Sequence, residues 1–252
     1  MIEILVLSVV QGITEFLPIS SSSHLVIISN YFDLAYQSLL TDVSLHIGSF
    51  IAVMTFFKND ILDFIKNKQL FIKIILCSIP TMVIGYLLVL FDLIEHLRNV
   101  KVIGWMTLIF GVFLYITDKF NTNKEIDSDF TLKSVVIISI FQVLSLIPGV
   151  SRSGITISAA RLLKFKRYDS VKISFLLSIP TLAAVSIYGI SEIINSENIE
   201  FSLVQVGLIF LSFIISYMTI KFFLGYVKKF NLNLFVIYRI IIGCVLIILS
   251  NS

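Results

Sequence analysis

Residues 11–24 read Gln-Gly-Ile-Thr-Glu-Phe-Leu-Pro-Ile-Ser-Ser-Ser-Ser-His. A carboxylate at Glu15, hydroxyls at Ser20, Ser21, Ser22 and Ser23, and an imidazole at His24 are the types needed for a base, a nucleophile and a proton carrier. Gln11 and Glu15, four apart, share one helical face and could hold a divalent cation against an anionic ligand. A second cluster follows at Pro148-Gly-Val-Ser-Arg-Ser-Gly-Ile-Thr156. The Arg152 guanidinium matches two phosphate oxygens, and Ser151, Ser153 and Thr156 surround it. Serines at the start of a helix stand beside free backbone N–H groups and a positive dipole end, a setting for anions. An anion cradle, an arginine, a carboxylate for metal and a nucleophile or base together describe phosphoryl transfer.

These clusters sit in a chain built for lipid. It is 57% hydrophobic and only 14% charged, with a mean hydropathy of +0.99, against about 25% charged residues in a soluble domain. Residues 70–91 and 202–224 hold apolar runs of the roughly 20 residues that cross a bilayer. The runs are continuous rather than alternating, which selects helices over a β-barrel. Polar side chains at membrane depth are costly, so a dense cluster there points to function. Glu3, with no preceding base, is the wrong flank for a cleaved signal peptide. Cys77 and Cys244 read as small core residues without a disulfide. A dispersed net charge of +3 gives no reason to expect nucleic acid.

The helical segments expected are 1–17, 18–30, 44–57, 70–91 and 102–118, then 134–147, 149–163, 173–190, 202–222 and 234–250. The halves superpose at an offset of 130, with Pro18 on Pro148, Ser21 on Ser151 and Ser23 on Ser153. This organises residues 1–252 as one polytopic domain: repeat one 1–118, a linker 119–133, and repeat two 134–250. Loop 31–43 carries Asp33 and Asp42 and no base. Its counterpart 161–173 carries Arg161, Lys164, Lys166, Arg167 and Lys172. Loop 58–69 is basic and its counterpart 188–199 acidic. Basic loops stay cytoplasmic, so the repeats are inverted. The expected fold is an all-α integral membrane protein with six full spans and two re-entrant helix pairs, the latter turning near Pro18 and at Pro148-Gly149. Such turns are tolerated where they line a polar cavity.

Single residues also have plainer readings. A serine in a membrane helix often bonds back to the preceding turn. Gln11 could bridge helices, His46 could sit at the interface, and His96 lies in a charged loop. Arg239, beside Tyr238, could bind a lipid phosphate or snorkel outward. The tetrapeptide Ser-Ile-Pro-Thr occurs at 78–81 and 178–181. Its offset of 100 does not fit the repeat, so it reads as two independent kinks.

Gln11 to His24 resembles the first signature of the undecaprenyl-diphosphate phosphatase, or bacitracin-resistance, family. Pro148 to Thr156 is similar to its second signature, and the resemblance extends over essentially the whole chain to Tyr238-Arg239. It implies hydrolysis of a C55 polyprenyl diphosphate to the monophosphate, recycling a carrier lipid for cell-wall precursors and conferring bacitracin resistance. It further implies a divalent cation (Mg²⁺ or Ca²⁺), a plasma-membrane location and a site open to the extracytoplasmic side. Carried over by position, Gln11 and Glu15 are assigned to metal or water handling, and His24 and Ser21 to base and nucleophile. Arg152 binds phosphate, with Ser151, Ser153 and Thr156 around it; beyond the resemblance, Ser20, Ser22 and Arg239 are further candidate phosphate contacts. Gln11 stands where many members have Glu, and Ser23 where many have Gly. The partner is the polyprenyl diphosphate lipid; a homodimer is compatible with the chain.

A transporter or flippase for an anionic lipid or small anion is the rival reading, because inverted repeats with broken helices are above all a transporter architecture. A transporter needs an anion cradle but no base or nucleophile, so Glu15, Ser21 and His24 favour the enzyme. Whether Ser21, His24 or water attacks phosphorus stays open, as do prenyl chain length and preferred metal.

Overall fold

The computed structural model describes residues 2–21, 24, 28, 38–66, 68–91, 93, 99–195 and 203–250. Ser22, Ser23 and His96, and most of the expected half-helix 18–30, lie outside the described residues. The described chain is helical, with no β-strand. Its helices are α1 (Ile2–Thr14), α2 (Leu39–Phe56), α3 (Lys58–Lys66), α4 (Lys68–Leu90), α5 (Val100–Asp118) and α6 (Ile126–Asp129). They continue with α7 (Leu132–Val143), α8 (Arg152–Leu162), α9 (Arg167–Asn195), α10 (Leu203–Val227) and α11 (Asn233–Leu249).

Hydroxyl and amide side chains set the helix starts, satisfying N–H groups that have no intrahelical acceptor. Ser38 Oγ accepts from Thr41 N at 3.2 Å, Asn99 Oδ1 from Lys101 N at 2.8 Å, and Thr131 Oγ1 from Ser134 N at 3.4 Å. Pro80 and Pro180 lie inside α4 and α9, where each removes the N–H that would meet the carbonyl four residues earlier.

Among the described residues, five helices are long and apolar enough to cross a membrane: Leu39–Phe56, Lys68–Leu90, Val100–Asp118, Arg167–Ile194 and Leu203–Val227. The expected sixth span corresponds to the shorter apolar helix Asn233–Leu249, of 17 residues. Large apolar side chains such as Phe210, Met218 and Phe222 on α10 and Leu87 and Leu90 on α4 are exposed, as a lipid-facing surface requires. Cys77 is buried as expected, but Cys244 is exposed. An aromatic core lies inside, where Phe16 meets Phe175 edge-on at 5.3 Å and Phe223 meets Phe235 at 5.1 Å.

The helices pack in crossed pairs. α1 and α2 both lie on α10, α7 and α9 both lie on α4, α5 lies on α11, and α2 on α9. α8 fits between α5, α7 and α9.

Much of the basic stretch 161–173, read from sequence as a cytoplasmic loop, is helical: Arg161 lies in the last turn of α8, and α9 begins at Arg167. Arg161 is fully buried. Its guanidinium donates to the carbonyls of Asp118, Phe120 and Phe165 and to Thr122 Oγ1, and lies 3.2 Å from the Asp118 carboxylate. Arg167 reaches the same carboxylate at 2.7 Å, and Asp118 Oδ2 accepts from Leu232 N at 3.1 Å. One aspartate thus ties the end of α5 to α8, α9 and the start of α11. Lys172 pairs with Asp60 at 2.6 Å.

Candidate active site

Two breaks in helix geometry bring the sequence clusters together. The first follows α1, where residues 15–19 turn and Ser20 adopts φ 74°. The second spans Pro148–Ser151, where Gly149 has φ 98° and Ser151 φ 71°. Only glycine takes such a value freely. A Cβ on Gly149 would also come within 2.6 Å of the Ile103 carbonyl oxygen, so the second turn rests directly on α5.

Glu15 is the centre of the site. Arg152 Nη2 donates to its Oε1 at 2.9 Å, Ser21 Oγ to its Oε2 at 2.6 Å, and Gln11 Nε2 to Oε2 at 3.1 Å. The carboxylate and guanidinium are 8% and 13% exposed. In this low-dielectric setting the pair is far stronger than a surface ion pair, and losing either member is costly. Arg152 Nη1 also donates to the Ser174 carbonyl at 3.2 Å, which fixes the plane of the fork. Ser21 is aimed with its proton on a carboxylate, the arrangement that activates a hydroxyl.

A cavity of about 440 Å³ opens from this cluster. Glu15, Ser21, Arg152 and His46 form its polar end. From there it runs between α4 and α9, past Gly85 and Val89 on one wall and Val185 and Tyr188 on the other. Thr81 of α4 and Thr181 of α9 both line it. The two Ser-Ile-Pro-Thr segments, which read as independent kinks, therefore each supply a threonine to the cavity lining. His46, which the sequence could equally place at the membrane interface, also lines this cavity.

The remaining candidates among the described residues lie around the turns and do not line the cavity. Ser151 Oγ accepts from Gly154 N at 3.2 Å and so caps α8, and Ser153 Oγ donates to the Leu17 carbonyl at 2.7 Å. The latter bond stitches the second turn to the first. Thr156 Oγ1 bonds back to the Arg152 carbonyl at 2.8 Å and to Ser174 Oγ at 2.8 Å. Ser20 is buried, with its carbonyl accepting from His24.

Arg239 is buried completely. It donates to the carbonyls of Thr107 (3.2 Å), Pro18 (3.2 Å), Gly149 (2.9 Å) and Val150 (3.0 Å). One side chain therefore clamps both turns to α5. A Cβ on Gly154 would sit 2.8 Å from Arg239 Nη1, so that glycine keeps the guanidinium's path open.

His24 does not line the cavity that Glu15 and Ser21 open into. Its Nδ1 lies 2.6 Å from the Ser20 carbonyl and its Nε2 2.5 Å from Tyr238 Oη. A carbonyl can only accept, so Nδ1 carries the proton and Nε2 accepts from the tyrosine. The rings stack with centroids 5.8 Å apart. Tyr238 is a partner that local sequence pattern could not supply, since it stands 214 residues away.

Comparison with known proteins identifies the family. The model of the bacitracin resistance protein BacA family matches residues 4–245. The undecaprenyl-diphosphatase of Pelagibacter ubique (strain HTCC1062) is 49% identical over 249 residues, covering 98% of this chain and 97% of its own length. Proteins of the same name from Saccharophagus degradans and Teredinibacter turnerae are 38% and 37% identical, covering 94% and 98% of this chain. With both signatures meeting at one buried ion pair and the match running almost end to end, the chain belongs to the bacitracin resistance protein BacA family.

Proposed function

We propose that this chain hydrolyses undecaprenyl diphosphate to the monophosphate and inorganic phosphate, returning a carrier lipid to cell-wall synthesis and conferring resistance to bacitracin. The observation that carries the reading is the Glu15–Ser21–Arg152 cluster at the head of an apolar groove. A substrate with a charged diphosphate and a long hydrocarbon tail needs both, joined in that order.

In this mechanism the diphosphate enters the polar end and the prenyl chain lies between α4 and α9. Arg152, held by Ser174 and Glu15, stabilises charge on the transferring phosphoryl group. Glu15 takes the proton of Ser21 as its oxygen attacks phosphorus, or the proton of a water bound in the same place. The bridging P–O bond breaks and polyprenyl phosphate departs; water attack releases inorganic phosphate at once, whereas attack by Ser21 leaves a phosphoserine whose P–O bond water then cleaves, releasing inorganic phosphate and restoring the hydroxyl. His24 positions the first turn through Ser20 and Tyr238 and can relay protons at its edge. Ser151 contributes by ordering the Gly154 amide at the start of α8, and Ser153 and Thr156 by holding the second turn against Leu17 and Ser174.

Gln11 and Glu15 are the residues that would hold Mg²⁺ or Ca²⁺. Gln11 Oε1 is buried without a partner beside the carboxylate, and hard oxygen donors of this kind suit both ions. The described residues contain no group of three His, Cys, Asp or Glu side chains placed to bind metal, so diphosphate oxygens and water would complete the shell. When bound, the ion would neutralise charge on the diphosphate.

Six spans and two re-entrant pairs in inverted repeats remain our reading of the architecture. The crossed packing supports it: α1 on α10 mirrors α7 on α4, and α2 on α10 mirrors α9 on α4. The left-handed residues Ser20 and Ser151 set the turns in register at an offset of 131, one more than the Pro18/Pro148 superposition. In that register Ser21 falls opposite Arg152, the two residues that flank Glu15, and Gln11 opposite the buried Gln142. The site then opens on the extracytoplasmic side of the plasma membrane.

The test is phosphate release by purified protein from C55 diphosphate, with and without chelator. Metal-dependent release supports the enzyme. No release, together with anion or lipid flux in liposomes, would establish the transporter instead.

A further inference from the structure

His46 lines the polar end of the cavity beside Glu15, Ser21 and Arg152, and nothing in the mechanism above employs it. Its Nδ1 lies 2.7 Å from the Asp42 carbonyl one turn back on α2. Nδ1 must therefore carry a proton, and the ring is fixed with Nε2 as its remaining polar atom. The two histidines of the region differ in this respect. Both His24 nitrogens are engaged by Ser20 and Tyr238, and its ring does not line the cavity.

Charge sharpens the contrast. The Arg152 cation is already matched by the Glu15 carboxylate at 2.9 Å, so the pair presents little net charge to an arriving diphosphate. His46 is the one other basic side chain among the described residues that line the cavity. We propose that His46 contacts the diphosphate directly through Nε2, as a binding residue of the reaction proposed above and resting on that reading. The contact needs one proton between imidazole and phosphate oxygen. Nε2–H donates to an ionised oxygen, or Nε2 accepts from a protonated one. The bond also fixes where phosphorus sits relative to Ser21, which is why a histidine two turns into α2 would matter to the site.

The experiment compares His46→Ala and His46→Gln in purified protein, measuring turnover of C55 diphosphate and, in a Ser21→Ala background, binding of a non-hydrolysable methylene-bridged prenyl diphosphate. A lost hydrogen bond to a charged ligand is worth about tenfold or more. His46→Ala is expected to raise KM and the analogue Kd about tenfold while changing kcat less than about threefold. Glutamine keeps an N–H donor and should restore binding to within about threefold. Thermal melting accompanies each variant; if alanine lowers it, His46→Leu fills the volume without a polar atom and carries the same expectation. Binding and KM within about twofold of wild type in a folded alanine or leucine variant overturn the proposal, and so does a loss that glutamine leaves unrepaired. Arg152→Ala is the control for the underlying reading. If it too keeps wild-type turnover, the diphosphatase site itself is misplaced, whereas loss in Arg152→Ala with none in His46→Ala removes His46 alone.

Discussion

Arg152 Nη2 and Glu15 Oε1 lie 2.9 Å apart although 137 residues separate them. They are also the charged residues of the two turns, so one ion pair both closes the site and ties its halves together. Two roles follow, and they separate by experiment. Glu15→Gln keeps the shape and an acceptor but removes the base and the counter-charge. Its turnover is expected to fall at least about a hundredfold. Arg152→Lys keeps the charge without the fork and should lose a similar factor. Glu15→Gln and Arg152→Met each leave a buried charge unmatched, a loss of about 3–5 kcal/mol. The double variant Glu15→Gln/Arg152→Met should therefore melt higher than Arg152→Met alone while remaining inactive. Calorimetry of the set decides this; independent, additive losses would mean the pair is not coupled.

Ser21 tests what attacks phosphorus. Its hydroxyl points at the carboxylate from 2.6 Å, so Ser21→Ala should lower kcat by about a thousandfold, with KM within about threefold, if its oxygen is the nucleophile. A fall of only about tenfold would identify water as the attacking group, oriented by Glu15.

Arg239 distinguishes clamp from ligand. Four carbonyls from α5 and both turns accept from it, and lysine cannot span that set. Arg239→Lys is expected to lower the melting temperature by more than about 5 °C. The folded fraction should keep KM within about threefold. A stable variant with a tenfold higher KM would show that Arg239 reaches substrate phosphate.

Much of this was legible in the residues. Continuous apolar runs located the spanning helices, and Pro18 and Pro148-Gly149 marked both turns. Glu15, Ser21 and Arg152 stood out because polar side chains at membrane depth need a reason. What stayed hidden depended on distant packing. Nothing around Arg239 tells whether its acceptors are phosphates or carbonyls. The partner of His24 comes from α11, and His46 comes from α2; each reaches the turns only through helix crossings. Thr81 and Thr181 carried a real signal, two copies of one tetrapeptide, but the repeat offset masked it. They lie on α4 and α9, which pair across the repeats rather than correspond within them.

Tyr238 extends the catalytic surroundings to α11. Its hydroxyl donates to His24 Nε2 and thereby selects the Nδ1–H tautomer that bonds the Ser20 carbonyl. Tyr238→Phe removes that one bond and leaves the stacking. Turnover of C55 diphosphate should fall about threefold to tenfold, with melting within about 2 °C of wild type. The ring resonances of His24 in a ¹⁵N-histidine spectrum should shift towards a mixture of tautomers. An unchanged tautomer with reduced turnover would assign Tyr238 to substrate contact instead.

The groove between α4 and α9 sets the last expectation. Gly85 leaves it open: a Cβ there would already come within 3.3 Å of Leu146 Cδ2, and both residues line the cavity. A larger side chain must therefore project along the prenyl path or displace Leu146. Gly85→Leu leaves Glu15, Ser21 and Arg152 untouched, so hydrolysis of a short C15 diphosphate should stay within about threefold of wild type. For the C55 substrate, whose chain has to lie beyond Gly85, KM should rise at least about tenfold. Each buried methylene is worth about 0.8 kcal/mol, so excluding even two isoprene units is ample for that difference. Equal losses on both substrates would place the prenyl chain elsewhere and leave the groove without a role in chain recognition.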